Sequence, residues 1–412
     1  MNTTIRFICR MVIAFTFMFS GFVKGVDPMG FTIKIEDYLI AFHMEWLSPI
    51  ALPTAIFLIA LEFLVGFYLF IGFHIRRLSP IVLIMMIMFT LLTLYSAVFN
   101  PVSDCGCFGD AVKLTNWQTF WKNIALMVFT LGLFYLRKGY DASPSRNLGM
   151  IMAATLGLIY IVGLEIYSYR NLPILDFRPY KTGVSIAEGM SIPDDAEQPV
   201  LETLFIMEKN GERQTFTTEN YPYTDSTWVF IDSETRTIKE GYTPPLYNFS
   251  LTHPELGDVT GSVAHHNGAQ FLLIAPYLNK VDKKLMPKIV ELANAARQHE
   301  IPFYCITSSS MTEATQFDIA NNMMLDYLQG DETMLKTIIR SNPGLVLLYN
   351  GVVVGKWHYR NIPEKEIVNN PLSVAVKQLY SNRNLMVIWF NILIMIIIPS
   401  LFINRKTINR KK

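Results

Sequence analysis

The chain has 412 residues, of which 51% are hydrophobic and 17% charged, and its formal net charge is +1. This composition and a mean hydropathy of +0.29 exclude an ordinary soluble protein, and the near-neutral charge gives no reason to expect a nucleic-acid partner. Four cysteines are too few to build a disulfide-dense fold.

Six segments are apolar enough to cross a bilayer, which takes about 20 residues. They are predicted at 7–23, 49–73, 80–99, 120–136, 148–167 and 385–403. The first contains Arg10, so a cleaved signal peptide is the alternative there, although no small-residue cleavage site follows its apolar core. The sequence thus predicts a helical membrane bundle.

Basic residues are concentrated in the loops on one side of these segments. That side holds Arg6, Arg10, Arg76, Arg77, Arg137, Lys138, Arg146 and the basic residues after 404, whereas the other side offers only Lys24, Lys34 and Lys113. Because cytoplasmic loops carry the excess of lysine and arginine, both termini are predicted to be cytoplasmic. The Cys105/Cys107 loop and the long segment 170–384 are then extracytoplasmic. We expect a multi-pass protein of a bacterial inner membrane with a periplasmic soluble domain.

The chain divides into four predicted parts. Residues 1–168 form the bundle, 169–244 a linker and a small β-rich segment, 245–380 an α/β domain, and 385–404 a C-terminal membrane anchor. In the third part, strands are predicted at 271–274 and 303–306, with helices at 280–300, 311–320 and 333–340. Asn350-Gly351 then predicts a tight hairpin.

This order of elements, with Ser341-Asn342-Pro343-Gly344 leading into the hairpin, resembles a thioredoxin-like fold. The resemblance implies a cis peptide bond before Pro343 and a surface there that holds an extended client segment. Where that family carries a Cys-x-x-Cys motif, residues 275–280 read Ala-Pro-Tyr-Leu-Asn-Lys. The domain therefore cannot act as a dithiol reductant by itself.

The membrane half has a resemblance of its own. Residues 21–28, Leu61-Glu62 and the Asp-Cys-Gly-Cys-Phe-Gly-Asp stretch at 104–110 resemble the DoxX-like and methylamine-utilisation MauE membrane family, over roughly residues 5–140. The resemblance implies a redox-associated helical module that works with a thioredoxin-like partner. Its likeness to disulfide generators of the vitamin K epoxide reductase type makes a quinone the candidate cofactor.

The cysteine pair is the leading candidate for chemistry. Cys105 and Cys107 are one residue apart in an outer loop, where disulfides form and persist. The pair could exchange disulfides, or it could be a structural disulfide that fixes the loop. A metal site is the weakest reading, because no histidine or further cysteine lies in the loop, and we expect none. Thr115 and Gln118 predict a capping box that begins the next helix.

Glu62 is the second candidate, because an ionisable group in mid-membrane is functional by default. It could relay protons for a redox carrier, or bond to a neighbouring helix as a protonated acid; Tyr68 and Tyr95 are candidate partners. Cys9 and Cys305 are expected to be packing residues.

These features predict an integral membrane protein that takes part in thiol–disulfide exchange with an extracytoplasmic partner protein. Cys105, Cys107 and Glu62 would carry the chemistry and Pro343 would contact the client. Whether the protein is an enzyme, a thiol–disulfide oxidoreductase, stays open. The alternative is a non-catalytic assembly or envelope-maintenance factor with a structural disulfide and a thioredoxin-like binding domain.

Overall fold

The computed structural model of the protein describes residues 2–102, 106–140, 148–198, 200–239 and 241–409. The N-terminal part is a helical bundle. Its helices are α1 (Asn2–Val26), α2 (Pro28–Ala41), α3 (Ala51–Ile71), α4 (Ile75–Phe99), α5 (Asn116–Tyr135) and α6 (Leu148–Arg170).

Helix α2 was not expected, since Lys24 and Lys34 were both assigned to a loop. Its start follows ordinary helix signals: Pro28 is the first residue, and the Asp27 carboxylate accepts a hydrogen bond from the Gly30 N–H at 2.9 Å. Lys24 lies inside α1 and Lys34 inside α2, so the loop assignment was wrong for both.

Glycines let α1 and α3 cross closely. A Cβ on Gly21 would stand 2.6 Å from the Phe63 backbone nitrogen, and one on Gly66 would stand 2.5 Å from that of Met18. Small residues at such a crossing allow backbone approach between membrane helices. The crossing sets the side chains of α1 directly against those of α3.

A linker and a small sheet follow the bundle. They contain α7 (Ile186–Met190) and the antiparallel strands β1 (Val200–Lys209), β2 (Glu212–Thr217) and β3 (Val229–Lys239), in the order β2-β1-β3. Aromatic contacts such as Phe216 with Trp228, whose ring centroids are 5.0 Å apart, cover part of this sheet.

The next part is built on a seven-stranded mixed sheet and is called the sheet domain below. In chain order its elements are β4 (Leu251–His253), β5 (Gly257–Asp258), α8 (Thr260–Ala264), β6 (Ala269–Ile274), α9 (Met286–Gln298), β7 (Phe303–Thr307), α10 (Met311–Asn321), β8 (Asp326–Gly330), α11 (Glu332–Ile338), β9 (Gly344–Tyr349) and β10 (Val352–His358). The strand order is β10-β9-β6-β7-β8-β4-β5; β6, β7 and β8 are parallel, and the other pairs are antiparallel.

The central strands are buried on both faces. Phe271 and Leu273 of β6 join one apolar cluster with α9, while Leu272 and Ile274 join a second cluster on the other face. This explains the continuous apolar run that marked the strand in the sequence. The predicted hairpin is confirmed, with the left-handed φ values at Asn350 and Gly351 that such a turn requires.

Two elements of the structure differ from the prediction. The helix expected at 280–300 begins as α9 only at Met286, because Pro287 suits a first turn and no later position. Strand β8 was not predicted, since Asp-Tyr-Leu-Gln-Gly has only two apolar side chains in succession. The bond between Asn342 and Pro343 is cis, as expected.

The last helix, α12 (Pro371–Asn409), runs without a break from the sheet domain back along the bundle, where Trp389 packs on Tyr160 of α6. Over the described ranges, six helices are long and apolar enough to cross a membrane. They are Thr3–Val26, Glu45–Ile71, Ile75–Phe99, Asn116–Gly139, Leu148–Arg170 and Pro371–Pro399. The membrane bundle predicted from the sequence is confirmed in this respect.

Candidate functional site

The turn that contains Cys107 is fastened to α1. Cys105 lies outside the described residues, whereas Cys107 is half-buried, and the Gly109 N–H donates to the Gly106 carbonyl oxygen at 3.0 Å. The φ angles of Gly106 and Gly109 are +63° and +51°, in the left-handed region that glycine adopts without strain. The Ser20 hydroxyl of α1 donates to the Cys107 carbonyl oxygen at 2.6 Å.

Phe108 fixes the same turn between two helices. Its ring centroid is 5.5 Å from that of Phe19 on α1, and the Lys122 Nζ of α5 lies 4.3 Å from the ring centroid. The predicted capping box that begins α5 is confirmed, with Thr115 and Gln118 each bonding the backbone N–H of the other. The turn is thus positioned by the starts and ends of rigid helices.

Glu62 is paired with Lys24 inside the bundle. The Lys24 Nζ lies 2.8 Å from Glu62 Oε2, and both residues are 6% exposed. The close crossing of α1 and α3 places the two side chains together, and Lys24 Nζ also lies 4.8 Å from the ring centroid of Phe31. The tyrosines offered as partners for Glu62 make other contacts: Tyr68 donates to the Ala154 carbonyl oxygen, and the Tyr95 ring packs at a tilt against the rings of Phe42 and Phe99.

An apolar cavity of about 370 Å³ lies between α1, α2, α3, α4 and α5. Lys24 and Glu62 line it, as do Cys107 and Phe108. Asn123, whose amide donates to the Thr93 hydroxyl at 3.1 Å, adds a further polar group.

Its outer wall reaches the surface of the bundle. Phe42, which follows α2, and Met88 of α4 line the cavity and are 39% and 47% exposed. A small lipid-soluble molecule could therefore enter between α2 and α4 and reach the Lys24–Glu62 pair and the cysteine turn.

A second cavity of about 390 Å³ separates the bundle from the sheet domain. Charged side chains of both signs line it, and it shares Lys24, Phe31 and Lys34 with the apolar cavity. Arg340 of the sheet domain spans one wall: its Nε lies 2.9 Å from Asp27 Oδ2 and its Nη2 lies 3.3 Å from Asp110 Oδ2.

A buried cluster joins the linker to the sheet domain beside this chamber. Arg178 Nε lies 2.7 Å and Lys356 Nζ 2.8 Å from the carboxylate of Asp176. Burial and the nearby Arg178 lower the pKa of Lys356 to about 7, while Arg178 and Lys356 together outweigh burial and hold the pKa of Asp176 well below its usual range.

A cleft of about 350 Å³ lies next to the cis bond, between α2 and the sheet domain. Ser341 and Asn342 line it, whereas Pro343 itself is buried. The backbone N–H of Tyr277 donates to Asn342 Oδ1 at 3.3 Å, and the Asn342 amide donates to the Tyr277 carbonyl oxygen at 2.9 Å. The Tyr277 hydroxyl also donates to Glu332.

The two remaining cysteines are buried. Cys305 is 1% exposed among apolar side chains, and burial raises the pKa of its thiol, which makes it a poor nucleophile. Cys9 is 7% exposed in the bundle core. Across the described ranges, no three histidine, cysteine or acidic side chains gather as a metal site.

Sequence reasoning missed Lys24, Asp27, Asp110 and Arg340. A signal existed for Lys24: it lies three residues after Gly21, inside a run that the helix pattern could have extended to Val26. Arg340 offered no such signal, because its two partners lie 313 and 230 residues away along the chain.

Comparisons with known proteins agree with this division of the chain. The family described as methylamine utilisation protein MauE matches residues 2–136, which contain α1 to α5. A domain of unknown function (DUF8463) matches residues 201–240, the small three-stranded sheet. No curated protein and no solved structure matches the chain. The protein is thus a multi-pass membrane protein whose residues 2–136 are similar to the MauE membrane family.

Proposed function

We propose that this protein carries out thiol–disulfide exchange at the membrane through Cys105 and Cys107. The observation that carries the proposal is the position of Cys107, which lines an apolar cavity together with the buried Lys24–Glu62 pair. A staple that only fixes a loop needs neither a cavity nor an intramembrane ion pair beside it. An exchanging pair needs access for its partner and a group that can hold a proton.

The exchange with a client conserves atoms and electrons. Two client thiols would reduce the Cys105–Cys107 disulfide, which forms one client disulfide and leaves two thiols on this chain. Reoxidation of those thiols must pass two electrons and two protons to a second molecule.

The apolar cavity fits a quinone as that second molecule. Most of its wall area is apolar, charged and amide side chains reach it at defined points, and exposed apolar side chains line its outer edge. A quinone would supply a lipid-soluble acceptor of two electrons and two protons. Lys24, Glu62 and Asn123 would orient its polar ring, and the Glu62 carboxylate beside Lys24 would hold or release a proton at Oε2.

The sheet domain would act as the client platform. Its strand order and cis bond support a thioredoxin-like fold without a dithiol, and Tyr277 occupies the place of the missing pair. The neighbouring cleft, lined by Asn342 and Tyr359, would hold an extended client segment close to the bundle, with buried Pro343 shaping the turn behind it.

The charge bias supports an orientation with the sheet domain outside the cytoplasm. Arg6 bonds to Gly139 and to Thr3, and Cys9, Ile75 and Tyr140 share one cluster, so the basic loops gather at the end of the bundle away from the sheet domain. Cytoplasmic loops carry such an excess. Both termini would then be cytoplasmic.

A non-catalytic assembly factor is the second candidate. The anchoring of the Cys107 turn by Ser20 and Phe108 favours it, because a structural disulfide belongs in a turn that does not move. In that case the sheet domain would serve only as a binding surface.

Trapping distinguishes the two functions. Cells that carry the full chain are quenched with acid, their thiols are labelled with a mass-shifting maleimide, and the redox states of Cys105 and Cys107 are read on a gel. We expect both states in growing cells, and we expect Cys107→Ser to accumulate a mixed disulfide between Cys105 and a client. Cys305→Ala is the matched control. It also removes one thiol, but it leaves Cys105 and Cys107 intact and should therefore accumulate no mixed disulfide.

A pair that stays fully oxidised in cells, with no adduct in Cys107→Ser, would refute exchange and favour the assembly factor.

A further inference from the structure

One arginine of the sheet domain is bonded to two separate parts of the bundle. Arg340 follows α11 and is only 9% exposed in its side chain. Its Nε lies 2.9 Å from Asp27, its Nη2 lies 3.3 Å from Asp110, and its Nη1 donates to the Lys336 carbonyl oxygen at 2.7 Å. All three nitrogens of the guanidinium group are therefore engaged.

Both carboxylates belong to segments that shape the site. Asp27 caps α2, the helix that forms one wall of the apolar cavity. Asp110 lies three residues after Cys107, at the end of the glycine-containing turn. Arg340 thus holds the cavity wall and the cysteine turn at fixed positions relative to each other.

The packing around this arginine leaves little room for another arrangement. A Cβ on Gly30 would stand 2.6 Å from Asp27 Oδ2 and 3.0 Å from Arg340 Nη2. Burial alone would raise the pKa of Asp27, but Arg340 and Arg178 hold it below its ordinary value of 3.8. Asp27 is therefore ionised at neutral pH and bonds to Arg340 as a carboxylate.

We infer that Arg340 is a positioning residue for the Cys105/Cys107 pair, supplied to the bundle by the sheet domain. The inference rests on the proposed function in taking this pair as the one that exchanges. The guanidinium bonds the two carboxylates through two separate nitrogens, Nε and Nη2, whereas a lysine has a single nitrogen that cannot occupy both positions. The sheet domain is in this sense a part of the redox site and not only a platform for clients.

The positioning has a consequence for the redox equilibrium. A held turn limits the conformations of the dithiol form, whereas the closed disulfide ring is already restricted. Release of the turn therefore favours the dithiol. Loss of Arg340 should make the disulfide easier to reduce.

The test measures that equilibrium in the full chain in lipid nanodiscs. Cys9→Ala and Cys305→Ala remove the other thiols, and the pair is equilibrated with mixtures of reduced and oxidised glutathione. We expect Arg340→Gln to shift the equilibrium constant about tenfold toward the dithiol, which corresponds to about 30 mV. Asp110→Asn should shift it in the same direction, and the double variant should not exceed Arg340→Gln alone.

Arg340→Lys separates positioning from simple charge: it should behave like Arg340→Gln, and full recovery of the unmodified equilibrium would overturn the inference. Lys288→Gln, which breaks a surface pair with Glu364, is the control and should stay within twofold of the unmodified chain. Values within twofold for both Arg340→Gln and Asp110→Asn would also overturn the inference.

Hydrogen exchange distinguishes failure of this inference from failure of the proposed function. Arg340→Gln should speed exchange of the Gly109 and Ala111 amides, which donate within the turn, at least tenfold. If Cys105 and Cys107 never change redox state in the glutathione mixtures, the proposed function is contradicted. The exchange rates of the Gly109 and Ala111 amides would then decide the inference alone. Unchanged exchange in the turn would refute it.

Discussion

The bundle and the sheet domain are packed in different ways. The bundle buries an ion pair, Lys24 with Glu62, beside an apolar cavity. The sheet domain fills both faces of its sheet with apolar side chains and buries its one cysteine, Cys305, as a packing residue. The bundle therefore combines a buried ion pair with a cavity, whereas the two core clusters of the sheet domain are apolar.

The boundary between the bundle and the sheet domain is lined by charged side chains. Asp27, Asp110 and Arg340 meet there as charged groups that are mostly shielded from water but border a chamber. Charges in such a place fix geometry more than they add stability. Ionic contacts of Arg340 thus join the bundle, with its buried pair and cavity, to the sheet domain, with its apolar core.

The largest effect should come from Glu62→Ala. It leaves the Lys24 ammonium buried without its carboxylate partner, and this should lower the free energy of unfolding of the bundle by about 3–5 kcal/mol. Thermal unfolding in nanodiscs, followed by hydrogen exchange of bundle and sheet-domain peptides separately, should show the loss in the bundle. Adding Lys24→Met should recover most of it; a double variant as unstable as Glu62→Ala would contradict the importance of the pair.

Gly351→Ala should damage the sheet domain instead. Its φ of +72° disfavours a side chain by about 1–2 kcal/mol, and the new Cβ would stand 2.1 Å from the Ala264 carbonyl oxygen. Hydrogen exchange should rise in β9 and β10 and stay unchanged in α1 and α3. Gly261→Ala, with no atom within 4 Å of the new Cβ, is the control. Equal loosening of both regions would mean that they do not unfold separately.

Gly66→Ala sharpens the comparison from the other side. Its Cβ would stand 2.5 Å from the Met18 backbone nitrogen, and overpacking of this kind destabilises by about 1–3 kcal/mol. We expect a lower unfolding temperature for the bundle together with a weaker Lys24–Glu62 contact. Gly163→Ala is the matched control, because its nearest contact is an ordinary 3.5 Å to Trp389. An unchanged unfolding temperature would show that the crossing can widen freely.

The smallest expected effect is that of low pH on the Asp27–Arg340 contact between the bundle and the sheet domain. The pKa of Asp27 is lower in the folded protein, so its contribution is fully present above its ordinary value of 3.8 and is lost as the pH falls through the lowered value. Exchange of the first α2 amides, corrected for intrinsic rates, should therefore rise as the pH falls below 3.8 and through the lowered pKa. Asp27→Asn should lack this dependence. A variant with the same acid response as the unmodified chain would assign it to another group.

Features that depend on local chemistry could be predicted from the amino-acid sequence. Apolar length alone predicted six membrane helices, Thr115 and Gln118 predicted the cap of α5, and Asn350-Gly351 predicted the hairpin, because each depends on residues adjacent in the chain.

The composition of the candidate site depends on packing between distant parts of the chain. Glu62 was recognisable as an unusual charge, but its partner Lys24 became apparent only where glycines let α1 and α3 touch. Arg340 looked like any arginine at a helix end, since contacts across more than 200 residues leave no periodic trace in a single sequence. Burial, pairing and cavities are properties of packing, and packing joins residues that the chain itself keeps far apart.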